Sequence, residues 1–274
     1  MFKRPIITLL SDFGLRDSYV AEMKATILSI CPEACIVDIS HEVRKFDIRM
    51  GAFLLTRAAR YFPKGTIHVA VVDPGVGTER RPIIIESERS FYVGPDNGVL
   101  MLSAQREGIK HIYVIKNPKY MLKEVSRTFH GRDIFSPAAA HLANGVPPSE
   151  FGPEIFNPVA PSFIEPKVSE ELIEGEIIHI DDFGNLVTNI SYNEMKSLDI
   201  REGDQLTIKL GGKVFDIKLC TAYGEVQLHK PLAIIGGCGL LEFSVNQGNA
   251  SKYFNVKVGE KIFLQKKKQL NHWN

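Results

Sequence analysis

The 274 residues, 44% hydrophobic and 24% charged, have a globular composition and allow one large or two ordinary domains. A net charge of +1 and a pI near 7.7 remove the electrostatic case for nucleic acid or an anionic membrane as main partner. No run approaches the roughly 20 apolar residues of a membrane span, and no signal peptide is expected, since Ser11-Asp12 cuts short the apolar run after Lys3-Arg4.

Pro5–Leu10 has the pattern of a short buried strand running into Ser11-Asp12-Phe13-Gly14. Asp17-Ser18 offers N-cap oxygens to a helix with Tyr19, Met23, Ile27 and Ile30 on one stripe. Cys35–Ile39 is a second strand. An amphipathic helix near Asp47–Tyr61 follows, ended by Pro63 and Gly65. Val69-Ala70-Val71-Val72 reads as a strand buried on both faces, with Asp73 at its exit. The order β-α-β-α-β implies parallel strands with right-handed crossovers. Ile83–Glu86 and Phe91–Val93 then form a hairpin, Gly94–Gly98 a rigid turn, Val99–Glu107 a helix and Ile112–Ile115 a strand. A helix through Ala138–Asn144 follows Thr128–Asp133. Six prolines between Pro147 and Pro166 mark an extended linker.

The second half changes character. Eight short strands are expected at Ile177–Ile180, Leu186–Ile190, Gln205–Leu210, Lys213–Leu219, Val226–Leu228, Leu232–Ile235, Leu240–Val245 and Lys261–Leu264. Gly211-Gly212 is a hairpin turn, and one short helix lies near Tyr192–Leu198. The expected architecture is an α/β domain with a mostly parallel sheet over 1–156, a proline-rich linker over 157–170, and a smaller all-β, barrel-like domain over 171–274. Lys266–Lys268 is a solvated end.

Asp73, Pro74, Gly75, Gly77 and Arg80 put a carboxylate and a guanidinium on one loop at the ligand edge of a sheet. They form either a structural pair bracing the loop or a piece of a site. Gly75-x-Gly77 lacks the third glycine of a dinucleotide site, and no Gly-Lys-Ser/Thr closes a phosphate loop. Asp12, Asp73, His41, His130 and Asp133 are candidate metal ligands, but none pair at i, i+4 and Arg80 is a poor neighbour for a cation. Cys31, Cys35, Cys220 and Cys238 match no zinc spacing and suit reduced thiols in a cytoplasmic protein. Asn185, within Asp181–Asn189, offers the donor and acceptor that an adenine edge needs, or simply satisfies a turn. Gly237–Asn246 is either a flexed loop entering a core strand or a loop over a ligand.

Taken in order, six segments resemble the S-adenosyl-L-methionine (SAM) hydroxide adenosyltransferases, relatives of the fluorinase and chlorinase enzymes. They are Ser11–Gly14 with Asp17-Ser18, Asp73–Arg80, Gly94–Gly98, Phe129–Asp133, Asp182–Asn189, and Leu241-Glu242 through Asn246–Ala250. The resemblance implies hydrolysis of SAM to adenosine and L-methionine with no cofactor and no metal, in a homotrimer with active sites at subunit interfaces. It implies that Asp73, Arg80 and His130 are catalytic and that Asp12 holds the ribose hydroxyls. It assigns Asn185 and backbone near Val245 to adenine, Asp181 or Asp182 to the methionine amine, and Phe46 and Phe129 to the sugar. Asp17, Ser18, Cys238 and Glu242 join the substrate-binding set. Halide-using relatives carry Tyr at the position of Asp73 and Ser at that of Gly131, so the resemblance points to water. Many hydrolase relatives carry two serines where this chain has Gly237 and Cys238, which bears on the methionine end. Two other readings stand beside it: a SAM or adenosine sensor with negligible turnover, and a metal-dependent hydrolase.

Overall fold

A computed structural model describes residues 4–160 and 165–267. Part of the expected linker, 161–164, lies outside the described residues, as do Lys3 and Lys268. The chain divides into two compact units, Met1–Ser162 and Phe163–Asn274.

Among the described residues the first unit is built on six strands and four α-helices. In chain order they are β1 (Ile6–Ser11), α1 (Tyr19–Ile30), β2 (Cys35–Ser40), α2 (Ile48–Ala59), β3 (Ile67–Val71), β4 (Pro82–Ser87), β5 (Phe91–Pro95), α3 (Met101–Glu107), β6 (Ile109–Val114) and α4 (Ser136–Ala143). The sheet order is β2-β1-β3-β5-β4-β6. The sheet is mixed: β2-β1, β1-β3 and β3-β5 pair parallel, whereas β5-β4 and β4-β6 pair antiparallel. The physical reason is the hairpin at 82–95. Its tight turn folds β5 back beside β4, and β6 then adds to the free edge of β4.

Every residue of β3 is buried, and alternation along β1 explains the two cores. Ile7 and Leu9 pack on one face with Met23, Ile27 and Ala139 from α1 and α4. Leu10 packs on the other with Leu55, Ala59 and Ala104 from α2 and α3. Each fully buried Leu, Ile or Met side chain among them contributes about 1.5–3 kcal/mol. Asp47 caps α2, its Oδ1 accepting from Met50 N at 2.9 Å. The cap expected from Asp17-Ser18 does not form. The Ser18 hydroxyl donates instead to Glu22 at 2.6 Å, leaving the first turn of α1 without a side-chain cap.

The second unit holds β7 (Lys167–Val168), β8 (Ile173–Ile180), β9 (Leu186–Ser191), α5 (Tyr192–Ser197), β10 (Gln205–Leu210), β11 (Lys213–Cys220), β12 (Pro231–Ile235), β13 (Leu240–Val245), α6 (Ala250–Phe254) and β14 (Lys261–Lys266). The pairing β14–β8 closes seven of the strands into a barrel, with β7 appended to β8. Ile177, Leu186, Leu206, Phe243 and Leu264 meet in its core. The Gly211-Gly212 turn joins β10 to β11 as expected. Val226–Leu228 is no strand. A 3-10 turn at Tyr223–Glu225 precedes it, where the Glu225 carboxylate accepts from Thr221 and Ala222 backbone and holds the chain off the ladder. Among the described residues no helix is long and apolar enough to cross a membrane.

Candidate active site

The sheet order itself opens a crevice. β1 has β2 on one side and β3 on the other, so the chain leaving β1 and the chain leaving β3 part at their carboxyl ends. Open α/β sheets bind ligands at such switch points. A cavity of about 400 Å³ lies there, lined among others by Asp12, Phe46, Val71, Asp73, Phe129 and His130. Asp17 also lines it; Ser18 does not.

Arg80 forks onto Asp73, with Nε donating to Oδ1 at 3.0 Å and Nη2 to Oδ2 at 2.5 Å. The two side chains are 9% and 5% exposed. Nη2 also meets His130 Nδ1 at 2.7 Å. A guanidinium only donates, so Nδ1 accepts and the ring carries its proton on Nε2. The Arg80 plane also lies over the Phe135 ring, 5.3 Å from its centroid. Arg80 Nη1 is buried without a hydrogen-bond partner. Burial first, and then the Arg80 charge, hold the His130 imidazole below its ordinary 6.5, against opposing pulls from Asp73 and Asp133.

Two loops must meet for this cluster to exist, and Gly77 lets them. It has φ of 76°, and a Cβ there would lie 2.3 Å from the Arg127 carbonyl oxygen. The loop that carries Asp73 and Arg80 therefore lies flat against the segment entering His130. That segment is braced in turn. Asp133, its side chain fully buried, accepts from Ser126 N at 2.8 Å and from Arg132 Nε at 2.7 Å. Arg132 reaches on to Glu22 of α1 at 2.8 Å. A π-turn at Gly131–Phe135 leads into α4; local periodicity carries no signal for it.

On the β1 side, Asp12 Oδ2 accepts from Phe46 N at 2.8 Å, and Lys45 Nζ donates to the Asp12 carbonyl. Phe46 holds φ of 66°, a strained value for an aromatic residue, and is 69% exposed at the cavity. Lys45, Tyr19 and Thr128 line the cavity and escaped sequence reasoning. His41 is buried away from it, its Nδ1 on Ser11 Oγ at 2.8 Å. Among the described residues no three His, Cys, Asp or Glu side chains gather as metal ligands.

The second unit has a cavity of about 820 Å³ lined by Phe183, Asn185, Tyr223, Val245 and Asn249, among others. Asp181 stands behind Asn185 rather than in the lining. Its Oδ1 accepts from Asn185 N at 2.8 Å and its Oδ2 from Asn185 Nδ2 at 2.9 Å. That fixes the amide and turns one face of it outward. Asp182 is exposed. Cys238 and Glu242 approach each other, Sγ to Oε1, at 3.9 Å and do not line this cavity. Tyr223 carried no sequence signal, whereas Phe183 and Asn249 fall inside motifs already singled out.

A switch-point crevice holding an Asp–Arg–His cluster, on a chain whose second unit is a closed β-barrel with its own cavity, defines a two-unit α/β-plus-barrel protein. The chain belongs to the SAM hydroxide adenosyltransferase family: residues 7–152 match the family's N-terminal domain and 175–263 its C-terminal domain. It is 37% identical over 268 residues to an (R)-S-adenosyl-L-methionine hydrolase of Thermus thermophilus, covering 95% of this chain and 99% of the relative. It is 30% identical over 291 residues to a fluorinase of an Actinoplanes species, covering 96% and 98%. An uncharacterised conserved protein from Thermotoga maritima superposes with a TM-score of 0.91 at 38% identity, covering 94% of this chain and 99% of that one.

Proposed function

We propose that this chain hydrolyses S-adenosyl-L-methionine to adenosine and L-methionine by attack of water on the ribose C5′. The observation that carries the proposal is the hydrogen-bonded chain Asp73–Arg80–His130 beside Asp12 at one nucleoside-sized crevice. The naming of relatives as SAM hydrolases agrees with it.

The sulfonium leaves as a neutral thioether, so the departing group needs no acid. What the protein supplies is a water molecule held in line with C5′ and a home for its proton. His130, with its proton on Nε2, donates to the water oxygen. Asp73 keeps lone pairs beyond the two that Arg80 occupies, and one of them takes the proton. Arg80 keeps Asp73 oriented, and its charge stabilises the hydroxide character that develops in flight. Asp12 holds the ribose hydroxyls, with Phe46 and Phe129 against the sugar. Asn185 takes the adenine edge.

The active enzyme is a homotrimer with active sites at subunit interfaces. Phe46 and Phe183 stand 69% and 80% exposed beside the two cavities, and a neighbouring copy would cover them. The four cysteines carry no disulfide, which suits a cytoplasmic location. Residues 157–170 serve as the linker between 1–156 and 171–274. Lys167 and Val168 already pair as β7 within it, and limited proteolysis would map the domain boundary. Light scattering gives the oligomeric state.

The test is incubation with SAM in oxygen-18 water, with and without halide. Adenosine labelled at its 5′-oxygen is the expected product. A 5′-halogenated nucleoside, or bound SAM with no adenosine released, would overturn the proposal.

A further inference from the structure

The Gly94–Gly98 turn lines neither cavity, yet it touches the catalytic loop at both ends. Asn97 Nδ2 donates to the Val72 carbonyl at 2.8 Å, one residue before Asp73. Asp96 Oδ2 accepts from Arg81 Nε at 2.8 Å and Nη2 at 2.5 Å, one residue after Arg80. Asp96 N also donates to the Arg81 carbonyl at 2.9 Å. The Asp96 side chain is 1% exposed and that of Arg81 31%, so the carboxylate half of this grip is buried. Its other oxygen takes Val159 N at 2.8 Å, which ties the chain after the first unit's last strand to the same point.

Between these two grips the loop is held to itself by the Asp73–Arg80 fork, by the Thr78 hydroxyl donating to the Gly75 carbonyl at 2.6 Å and by two backbone bonds. Val76 N reaches the Asp73 carbonyl at 3.3 Å and Thr78 N the Gly75 carbonyl at 3.1 Å. The Asp73–Arg80 fork needs both ends of the loop in place at once. A fork is directional, so a shift of about 1 Å at either end breaks one of its two bonds and the link to His130. Misplacement of that size costs about 10²-fold in rate.

We propose that Asp96 and Asn97 are positioning residues that hold the Asp73–Arg80 loop at residues 72 and 81, and so keep Arg80 seated on both Asp73 and His130. The kinetic part rests on the hydrolase reading above; the geometric part does not.

Asn97→Asp isolates the grip. It keeps the Oδ1 acceptor that Val99 N uses at 3.2 Å, replaces the donor to Val72 with a second acceptor, and adds a negative charge beside Asp96. Two readouts are taken. The first is the kcat against KM split for SAM over pH 5 to 9. The second is the nitrogen-15 signal of the His130 ring, assigned with His130→Asn, which reports the Nδ1 acceptor bond whether or not the protein turns over.

The expected result is kcat down about 10²-fold with KM within about 3-fold. The deficit should narrow toward pH 5, as the new carboxyl regains a proton to donate. The His130 Nδ1 acceptor signature should weaken in parallel. An unchanged His130 signal, or an unchanged kcat in an enzyme that hydrolyses SAM, overturns the proposal. If the parent protein does not hydrolyse SAM but Asn97→Asp still moves the His130 signal, the grip stands and the hydrolase reading falls. Should Asn97→Asp not fold, Arg81→Lys tests the other end with the same two readouts. It keeps the charge on Asp96 and loses the second bond.

Discussion

Asp73→Asn tests the centre of the site, because stability and activity should part company there. Asp73 and Arg80 are 5% and 9% exposed. The amide retains an acceptor for Arg80 Nε but sets an N–H against Nη2, donor against donor. Breaking a buried pair on one side costs about 3–5 kcal/mol, because the other charge stays buried without compensation. The first unit spans 162 residues. In that size class each kcal/mol moves Tm by about 2–4 °C, so the drop should be about 6–20 °C. Removing both charges with Asp73→Leu and Arg80→Met takes away the burial penalty together with the attraction. That double variant should recover to within about 1 kcal/mol of the parent. Turnover follows the other logic: single and double variants alike lose the proposed proton acceptor, worth about 10²–10⁴-fold. Adenosine affinity in Asp73→Asn should stay within about 3-fold, because the proposed ribose contact is Asp12. Scanning calorimetry, adenosine titration calorimetry and chromatographic adenosine release measure the three quantities. Asp73→Asn melting within about 2 °C of the parent would refute the reasoning, as would a double variant that regains turnover with its stability.

His130 should titrate below 6.5. Its folded value is depressed, so the stability it contributes is complete above about 6.5 and is lost as pH falls through 6.5 toward the folded value. A proton on Nδ1 would also expel Arg80. Turnover should therefore fail on that same acid limb, and Arg80→Met should raise the His130 value; an NMR titration showing a midpoint above 6.5 contradicts this. Asn185→Ala should weaken adenosine binding about 10-fold, the worth of one or two hydrogen bonds, while the barrel's melting holds. Asp133→Asn should lower kcat more than it raises KM, by loosening the turn under His130. Burial raises the Asp133 carboxyl, but the Arg132 and Ser126 bonds outweigh it and hold it below 3.8. Its contribution is thus present above 3.8 and lost as pH falls below that, which acid unfolding of parent and variant would reveal.

Much of this protein is legible in its sequence because the signals are local. The continuous apolar run before Asp73 announces a strand buried on both faces, and the i, i+3, i+4 stripe before Pro63 announces α2. Short strands with glycine turns announce the all-β unit. Asp12 and Asp73 stand out because each ends a buried strand. The expected helix at Ala138–Asn144 survives as α4, but the π-turn that feeds it does not show, since nothing in the i, i+4 pattern distinguishes it. Ser18 has the chemistry of a cap and spends it on Glu22, because a carboxylate one turn away competes for the same hydroxyl. Asp181, which with Asp182 is offered to the methionine amine by the resemblance, accepts from Asn185 on both oxygens, a pairing no local pattern shows.

The sequence alone determined most of the strands and helices, Val226–Leu228 and β7 apart, and that the chain changes architecture midway. Tertiary structure decided who stands beside whom. Strand order put β1 between β2 and β3 and so opened the crevice; the hairpin made the sheet mixed; β14 closed the barrel by returning to β8. Arg80 meets His130 across 50 positions of sequence only because Gly77 lets two loops lie in contact. Propensity and periodicity act over a few residues, whereas such meetings depend on how whole elements pack, and no local pattern encodes that.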